Sequence, residues 1–300
     1  MSADAVLYDV PGPKARRRAL IGTAIASLAI LGLLAIVFKR LNDQGQFSME
    51  LWGPLIDPSH ESFEAVWQLL GKGLVATLLA AGWAIAFSLV IGTLLGTTRM
   101  LLGRVQRMPL IVVIELFRGL PVVVTIFYVY VVMQSMEVNL GVLPGDEGLW
   151  FVVIGLTLYN SVIIAEILRS GVASLPRGQG EAALAIGMTP GQAMRTVQLP
   201  QAFRTMLPAL ISQLVVVLKD TSLAAVLGIY IELLRRGNII ALNLDNPIQT
   251  LFVVGVIFVL INYALSRVAV AVERGLARRG VPREQMQPPV ETGLSHVNPL

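Results

Sequence analysis

Six long apolar runs set the plan of this chain, at about residues 19–38, 69–98, 109–133, 149–168, 205–228 and 248–271. Each reaches the roughly 20 residues that a helix needs to cross the hydrocarbon core of a bilayer. Inside lipid the backbone must satisfy its own hydrogen bonds, and runs of this length without two-residue alternation do not close a barrel. The pattern therefore predicts an all-α membrane protein. It divides the chain into a tail (1–18), an N-terminal transmembrane helix (19–38), a polar loop (39–68) with turn signals at Gly53-Pro54 and Asp57-Pro58, a helical body (69–273) and a second tail (274–300). From about residue 281 that tail is proline-rich and lacks apolar periodicity, which predicts disorder.

Composition agrees with the pattern. Charged residues make up only 14% of the chain and hydrophobic ones 55%, with a mean hydropathy of +0.72, whereas soluble domains carry about 25% charge. The net charge of +4 is no argument for nucleic acid, because the basic residues flank the apolar runs. With the N-terminus inside, sixteen of the 23 Lys and Arg residues fall on the cytoplasmic side and five outside. That asymmetry predicts a plasma- or inner-membrane protein with both termini cytoplasmic and 39–68 extracytoplasmic. The run at 19–38 follows Lys14-Ala-Arg16-Arg17-Arg18 and flows into Phe38-Lys39-Arg40. A cleaved signal has an apolar region of about 7–15 residues ending in small residues, so an uncleaved helix is expected instead.

The segment 170–204 interrupts this apolar chain with its own local plan. Pro176-Arg177-Gly178-Gln179-Gly180 breaks the preceding span, and Glu181 to Ile186 reads as a short helix with its acid at the positive end. Gly187 suits the left-handed residue that closes such a helix. Thr189-Pro190-Gly191-Gln192 then gives an N-cap, a Pro at the first helical position and a capping-box Gln. It predicts a second short helix over about 190–198, before Pro200. Two short helices joined by a tight turn make a rigid protrusion.

Candidate chemistry is sparse. No Gly-x-x-x-x-Gly-Lys-Ser/Thr phosphate loop is present, so ATP hydrolysis belongs to another chain or transport is driven some other way. There are no cysteines, and His60 and His296 are the only histidines, so neither a metal site nor a Ser-His-Asp triad is expected. The chain reads as no enzyme and as binding no cofactor. Ionisable residues within spans are costly and face a cavity or a partner. Glu115 with Arg118, and Glu166 with Arg169, are spaced i,i+3 and predict ion pairs on one helix face. Lys219-Asp220-Thr221-Ser222 falls deep in the fifth run, where it either breaks the helix beside a water-filled path or forms a buried ion pair. Lys219 and Arg118 are the cations available to meet a carboxylate on such a path. Tyr159, Asn160 and Ser161 fall mid-span and bond either substrate or a neighbouring helix. Gly92-Thr-Leu-Leu-Gly96 has small-residue spacing suited to close helix packing.

Five motifs in order resemble the permease subunits of ABC importers for polar amino acids, over roughly residues 70–275. They are Glu115-Leu-Phe-Arg118-Gly119-Leu-Pro121, Ala165-Glu166-Ile-Leu-Arg169-Ser-Gly171, Pro176-Arg177-Gly178-Gln179 with Glu181-Ala182-Ala183, Leu199-Pro200-Gln201-Ala202-Phe203-Arg204, and Lys219-Asp220-Thr221-Ser222-Leu223. Within the family, Leu158-Tyr159-Asn160-Ser161 and the N-terminal extension look most like actinobacterial glutamate-uptake permeases. The resemblance implies a type I ABC-importer permease fold, a five-helix core with one extra N-terminal transmembrane helix. It implies two ATPase partners that carry ATP and Mg, a second, similar permease as heterodimer or homodimer, an extracytoplasmic solute-binding protein and a polar amino-acid substrate, with glutamate first. Within the 170–204 segment, Glu181, Ala182, Ala183, Gly187, Thr189, Pro190, Leu199 and Pro200 would shape the loop that docks on the ATPase. Gly180 departs from the bulkier residue usual there. An ion-coupled secondary amino-acid transporter is the alternative; it leaves the 181–200 loop unexplained.

Overall fold

The computed structural model describes residues 12–176 and 178–278, and every regular element in them is helical. Arg177, His296 and the tail beyond Arg278 lie outside the described residues. The helices are α1 (Pro13–Asp43), α2 (Met49–Ile56), α3 (Phe63–Leu101), α4 (Met108–Gly119), α5 (Val122–Ser135), α6 (Glu147–Ala173), α7 (Gly178–Ala185), α8 (Pro190–Ala193), α9 (Leu199–Asp220), α10 (Leu223–Leu227), α11 (Leu233–Asn243) and α12 (Pro247–Arg278). Among the described residues five stretches are long and apolar enough to cross a membrane: Pro13–Asp43, Phe63–Leu101, Glu147–Ala173, Pro190–Leu227 and Pro247–Val272. The bent pair α4–α5 makes a sixth if it counts as one span.

That pair corrects the sequence reading of a single run over 109–133. Leu120 is extended (ψ 143°), as the residue before a proline tends to be, and Pro121 has no N–H to continue the ladder. Pro121 instead opens α5, and the two helices meet at 110°. The loop predicted over 39–68 is also shorter than expected. It contains the end of α1, all of α2 and the start of α3. Indole N–H groups fix α2 at both ends, Trp52 donating to the Gln46 carbonyl (3.0 Å) and Trp67 to that of Leu55 (3.0 Å).

The chain divides into two compact units. The smaller holds residues up to Leu70 together with Gly237–Val253. No residue of α1 is buried, as expected of an apolar helix solvated by lipid. Elsewhere in this unit, buried amides tie α2 to the start of α12: Asn246 donates to the Leu51 carbonyl (3.0 Å) and Gln249 to that of Gln46 (2.5 Å). Trp52 meets Phe252 edge to face at 5.9 Å.

The larger unit is built around α6, which starts at an N-cap Asp146 accepting from the Gly148 N–H (2.7 Å). Leu156, Val152, Val153 and Ile164 on this helix are fully buried. Glycines let neighbouring backbones come close. A Cβ on Gly92 or Gly96 of α3 would lie 2.7 Å from the Ser161 carbonyl or 3.0 Å from that of Ala165, both on α6. One on Gly155 of α6 would lie 2.7 Å from Ile126 Cα on α5, and one on Gly171 would lie 3.2 Å from the Ala202 carbonyl on α9. The Gly92-Thr-Leu-Leu-Gly96 spacing is thus the α3–α6 contact.

Glu232, which no spacing pattern marks in the sequence, is fully buried. Its carboxylate caps α11 by accepting from the N–H groups of Leu234 (2.8 Å) and Arg235 (2.8 Å). Thr77 of α3 donates its hydroxyl to the same carboxylate (3.4 Å) and accepts from the Leu233 N–H (3.1 Å). Burial pushes the Glu232 carboxyl above its usual range, against the pull of these donors. Glu232→Ala strands two N–H groups and lowers stability by about 1–3 kcal/mol, expected as a fall in the unfolding midpoint of the purified protein. An unchanged midpoint would remove the capping role.

Candidate functional site

The segment between α6 and α9 folds as a capped hairpin. The Gly187 N–H donates to the Leu184 carbonyl (3.0 Å) and the Met188 N–H to that of Ala183 (3.1 Å), the paired bonds of a Schellman closure of α7. Gly187 supplies the left-handed residue at φ +89°. Thr189 then caps α8: its hydroxyl accepts from the Gln192 N–H (3.3 Å) while the Gln192 amide oxygen accepts from the Thr189 N–H (2.9 Å), with Pro190 at the first helical position. Ala183, Ala193 and Met194 are buried, holding the hairpin on its base, while Glu181, Ala182, Gly187, Thr189 and Pro190 are exposed. Glu181 sits in the first turn of α7.

One expectation for this segment fails. The second short helix does not stop before Pro200. After Ala193 the chain widens into a π-helical turn, Met194–Gln198, and runs straight into α9. The Leu199 N–H reaches back five residues to the Met194 carbonyl, so Pro200, which has no N–H, falls in the first turn of α9 and the helix continues. The hairpin is therefore continuous with the span behind it. The Gln201 side chain adds a tie, donating to the Val197 carbonyl (2.9 Å) and to the Gln179 side chain of α7 (3.3 Å). Gly180 faces the Gln198 amide, which an added Cβ would meet at 2.6 Å, so a side chain here displaces Gln198.

Behind the hairpin, Arg169 donates to Glu166 (2.6 Å), as the i,i+3 spacing predicts. Arg99, from the last turn of α3, donates to the other carboxylate oxygen (2.9 Å). Sequence spacing gave no sign of this third member, 67 residues away. Glu115 and Arg118 approach to 3.5 Å, both half-exposed.

The residues proposed along a path separate into two kinds. Asn160 is fully buried: its amide donates to the Leu156 carbonyl (2.8 Å), and its oxygen accepts from Gln213 of α9 (2.7 Å). The Gln213 bond joins α6 to α9. Tyr159, beside it, is partly exposed. At Lys219-Asp220-Thr221-Ser222 the helix breaks between α9 and α10. Thr221 donates to the Leu218 carbonyl (2.7 Å) and Ser222 to that of Lys219 (2.7 Å), so both hydroxyls cap the broken end. Among the described residues no ion pair joins Lys219 to Asp220, consistent with neighbours that do not face each other on a helix. Lys219 is exposed and borders two cavities, one of about 370 Å³ with Ser222 and Asn262, the other of about 360 Å³ with Ser212 and Ser266. Asn262 and Ser266 are lone polar residues on the apolar helix α12 and carry no spacing signal in the sequence.

Residues 88–278, more than half of the chain, match the family described as the inner membrane component of binding-protein-dependent transport systems. The chain belongs to that family. It is the multi-pass permease component of an ABC importer, part of a complex with ATPase subunits, with no catalytic activity and no cofactor of its own. Within the family it sits with the permeases of polar-amino-acid importers. The glutamate transport system permease protein GluD of Corynebacterium glutamicum is 39% identical over 247 residues, 80% of this chain and 86% of GluD. The glutamine transport system permease protein GlnP of Escherichia coli is 33% identical over 215 residues, covering 71% of this permease and 96% of GlnP. A crystal structure of an amino acid ABC transporter with histidines superposes with a TM-score of 0.62 at 27% identity, over 71% of this permease and 96% of that chain. The fold is thus that of the type I importer permeases, and the ion-coupled alternative falls.

Proposed function

We propose that this permease carries glutamate inward, and that the hairpin of α7 and α8 transmits ATP-driven closure of two ATPase subunits to the spans. The likeness to GluD carries the substrate reading. What supports the coupling reading is the local build: both short helices are capped, and the second continues into α9 through a π-helical turn. A push on the hairpin then moves α9 as one body, and with it the broken end at Thr221-Ser222. In this reading the hairpin end and both termini face the cytoplasm. A second permease of the same kind completes the path, and an extracytoplasmic binding protein delivers the solute. ATP binding favours the outward-open arrangement and hydrolysis restores the inward one, a bistable change biased by a ligand on another chain.

Initial-rate uptake of labelled glutamate, glutamine, aspartate and arginine, with and without the gene, tests the proposal. A selective, ATP-dependent loss of glutamate uptake is expected; selective loss of arginine uptake overturns the substrate and leaves the permease.

On the path itself, Lys219 is the exposed cation beside the helix break. Lys219→Met is expected to weaken glutamate uptake about tenfold or more, the cost of one charge-assisted hydrogen bond. Unchanged rate and affinity would remove Lys219 from the path.

A further inference from the structure

A cavity of about 610 Å³ lies where α3, α4 and α6 meet the α7–α8 hairpin. Its wall carries three guanidinium groups, Arg99, Arg107 and Arg169. Glu166, the carboxylate bonded to this cluster, already gives one oxygen to Arg99 and the other to Arg169. Arg107 has no ion pair among the described residues, so the cluster holds an excess of positive charge. The rest of the wall is largely apolar, with Met100, Ile111 and Leu184 among it.

The position of these groups limits what would fill the cavity. Arg99 lies in the last turn of α3 and Arg169 in the last two turns of α6, at the ends of two helices long and apolar enough to cross a membrane, the level at which a crossing helix meets phospholipid headgroups. Val105 on the link from α3 to α4 and Met108 at the start of α4 are 82% and 58% exposed beside Arg104 and Arg107. Apolar side chains exposed next to cations at a span end suit the boundary between acyl chains and phosphates. A soluble anion would use the guanidinium groups and leave the apolar wall bare.

We propose that this cavity binds the headgroup of an anionic phospholipid, its phosphate between Arg99, Arg107 and Arg169 and its glycerol and first acyl carbons against the apolar wall. The hairpin forms one side of the cavity, so a seated lipid braces α7 and α8 against α3 and α6. That consequence rests on the coupling reading; the binding itself does not.

The test is lipid retention by the assembled transporter in phosphatidylcholine nanodiscs containing a minority of phosphatidylglycerol, read by native mass spectrometry. Wild type is expected to retain phosphatidylglycerol in preference. Arg107→Gln should lower that retention about fivefold, the effect of one basic residue near an anionic headgroup. Arg104→Gln makes the same charge change on the same link but outside the cavity wall, and should retain lipid like wild type. Equal losses in both variants would assign the effect to general surface charge and overturn the site. So would no preference in wild type, or displacement of phosphatidylglycerol by inorganic phosphate. Retention by the permease alone that vanishes once the ATPase subunits bind would assign the cavity to a partner's side chain and overturn it too. Wild-type uptake by Gly187→Val would instead sink the coupling reading and leave lipid retention standing.

Discussion

Gly187→Val should leave the permease in the membrane at wild-type level and reduce ATP-driven uptake at least tenfold. The effect arises from the backbone alone. Gly187 holds φ at +89°, and a Cβ there would meet nothing within 4 Å, so no neighbour has to move. A β-branched side chain is a genuine outlier in that region. The left-handed conformation costs an ordinary L-residue about 1–2 kcal/mol, a large share of what a short capped hairpin has to spare. Relief of that strain requires rotating the Gly187 backbone, which breaks the bonds from Gly187 to Leu184 and from Met188 to Ala183 and turns α7 away from α8. The hairpin is exposed and local, so the spans still insert. Gly187→Asn, which tolerates left-handed geometry, should keep most uptake. The pair of variants separates backbone strain from mere change of side chain: equal loss in both would point to a direct contact with the ATPase instead, and wild-type uptake in Gly187→Val would remove the coupling role.

The second large effect is expected at Gly92, and on folding rather than coupling. A Cβ there would sit 2.7 Å from the Ser161 carbonyl and 2.8 Å from Ile164 Cβ, both on the central helix α6. Neither neighbour is the far end of a flexible side chain, so α3 and α6 must separate. Overpacking of this kind costs about 1–3 kcal/mol and occasionally more. Gly92→Leu should therefore lower the yield and the thermal midpoint of purified permease. Gly82→Leu provides the control, since Gly82 lies on the same helix with nothing within 4 Å of an added Cβ. If both variants behave like wild type, the α3–α6 contact is looser than described.

What the sequence determined by itself is what depends on near neighbours along the chain. Span type and approximate position follow from the length of apolar runs, because the bilayer leaves a helix as the only single-segment solution. The hairpin was equally legible: Gly187, Thr189, Pro190 and Gln192 act on backbone groups within five residues. The Glu166–Arg169 and Glu115–Arg118 pairs belong to the same class, one helix turn apart.

Tertiary structure decided everything that joins distant segments. Arg99 completes the Glu166 cluster, Thr77 meets Glu232, and Gln213 takes the free oxygen of Asn160. No periodicity announces such partners, because each depends on which faces of two helices meet. Pro121 signalled a break, yet the 110° bend depends on where α4 and α5 pack. The π-helical turn has no sequence signature: Pro200 stops a helix only if its missing N–H is needed, and one extra residue in the turn before it removes the need. Local chemistry fixed the elements; which faces pack together fixed the ion cluster, the close glycine contacts and the cavity beneath the hairpin.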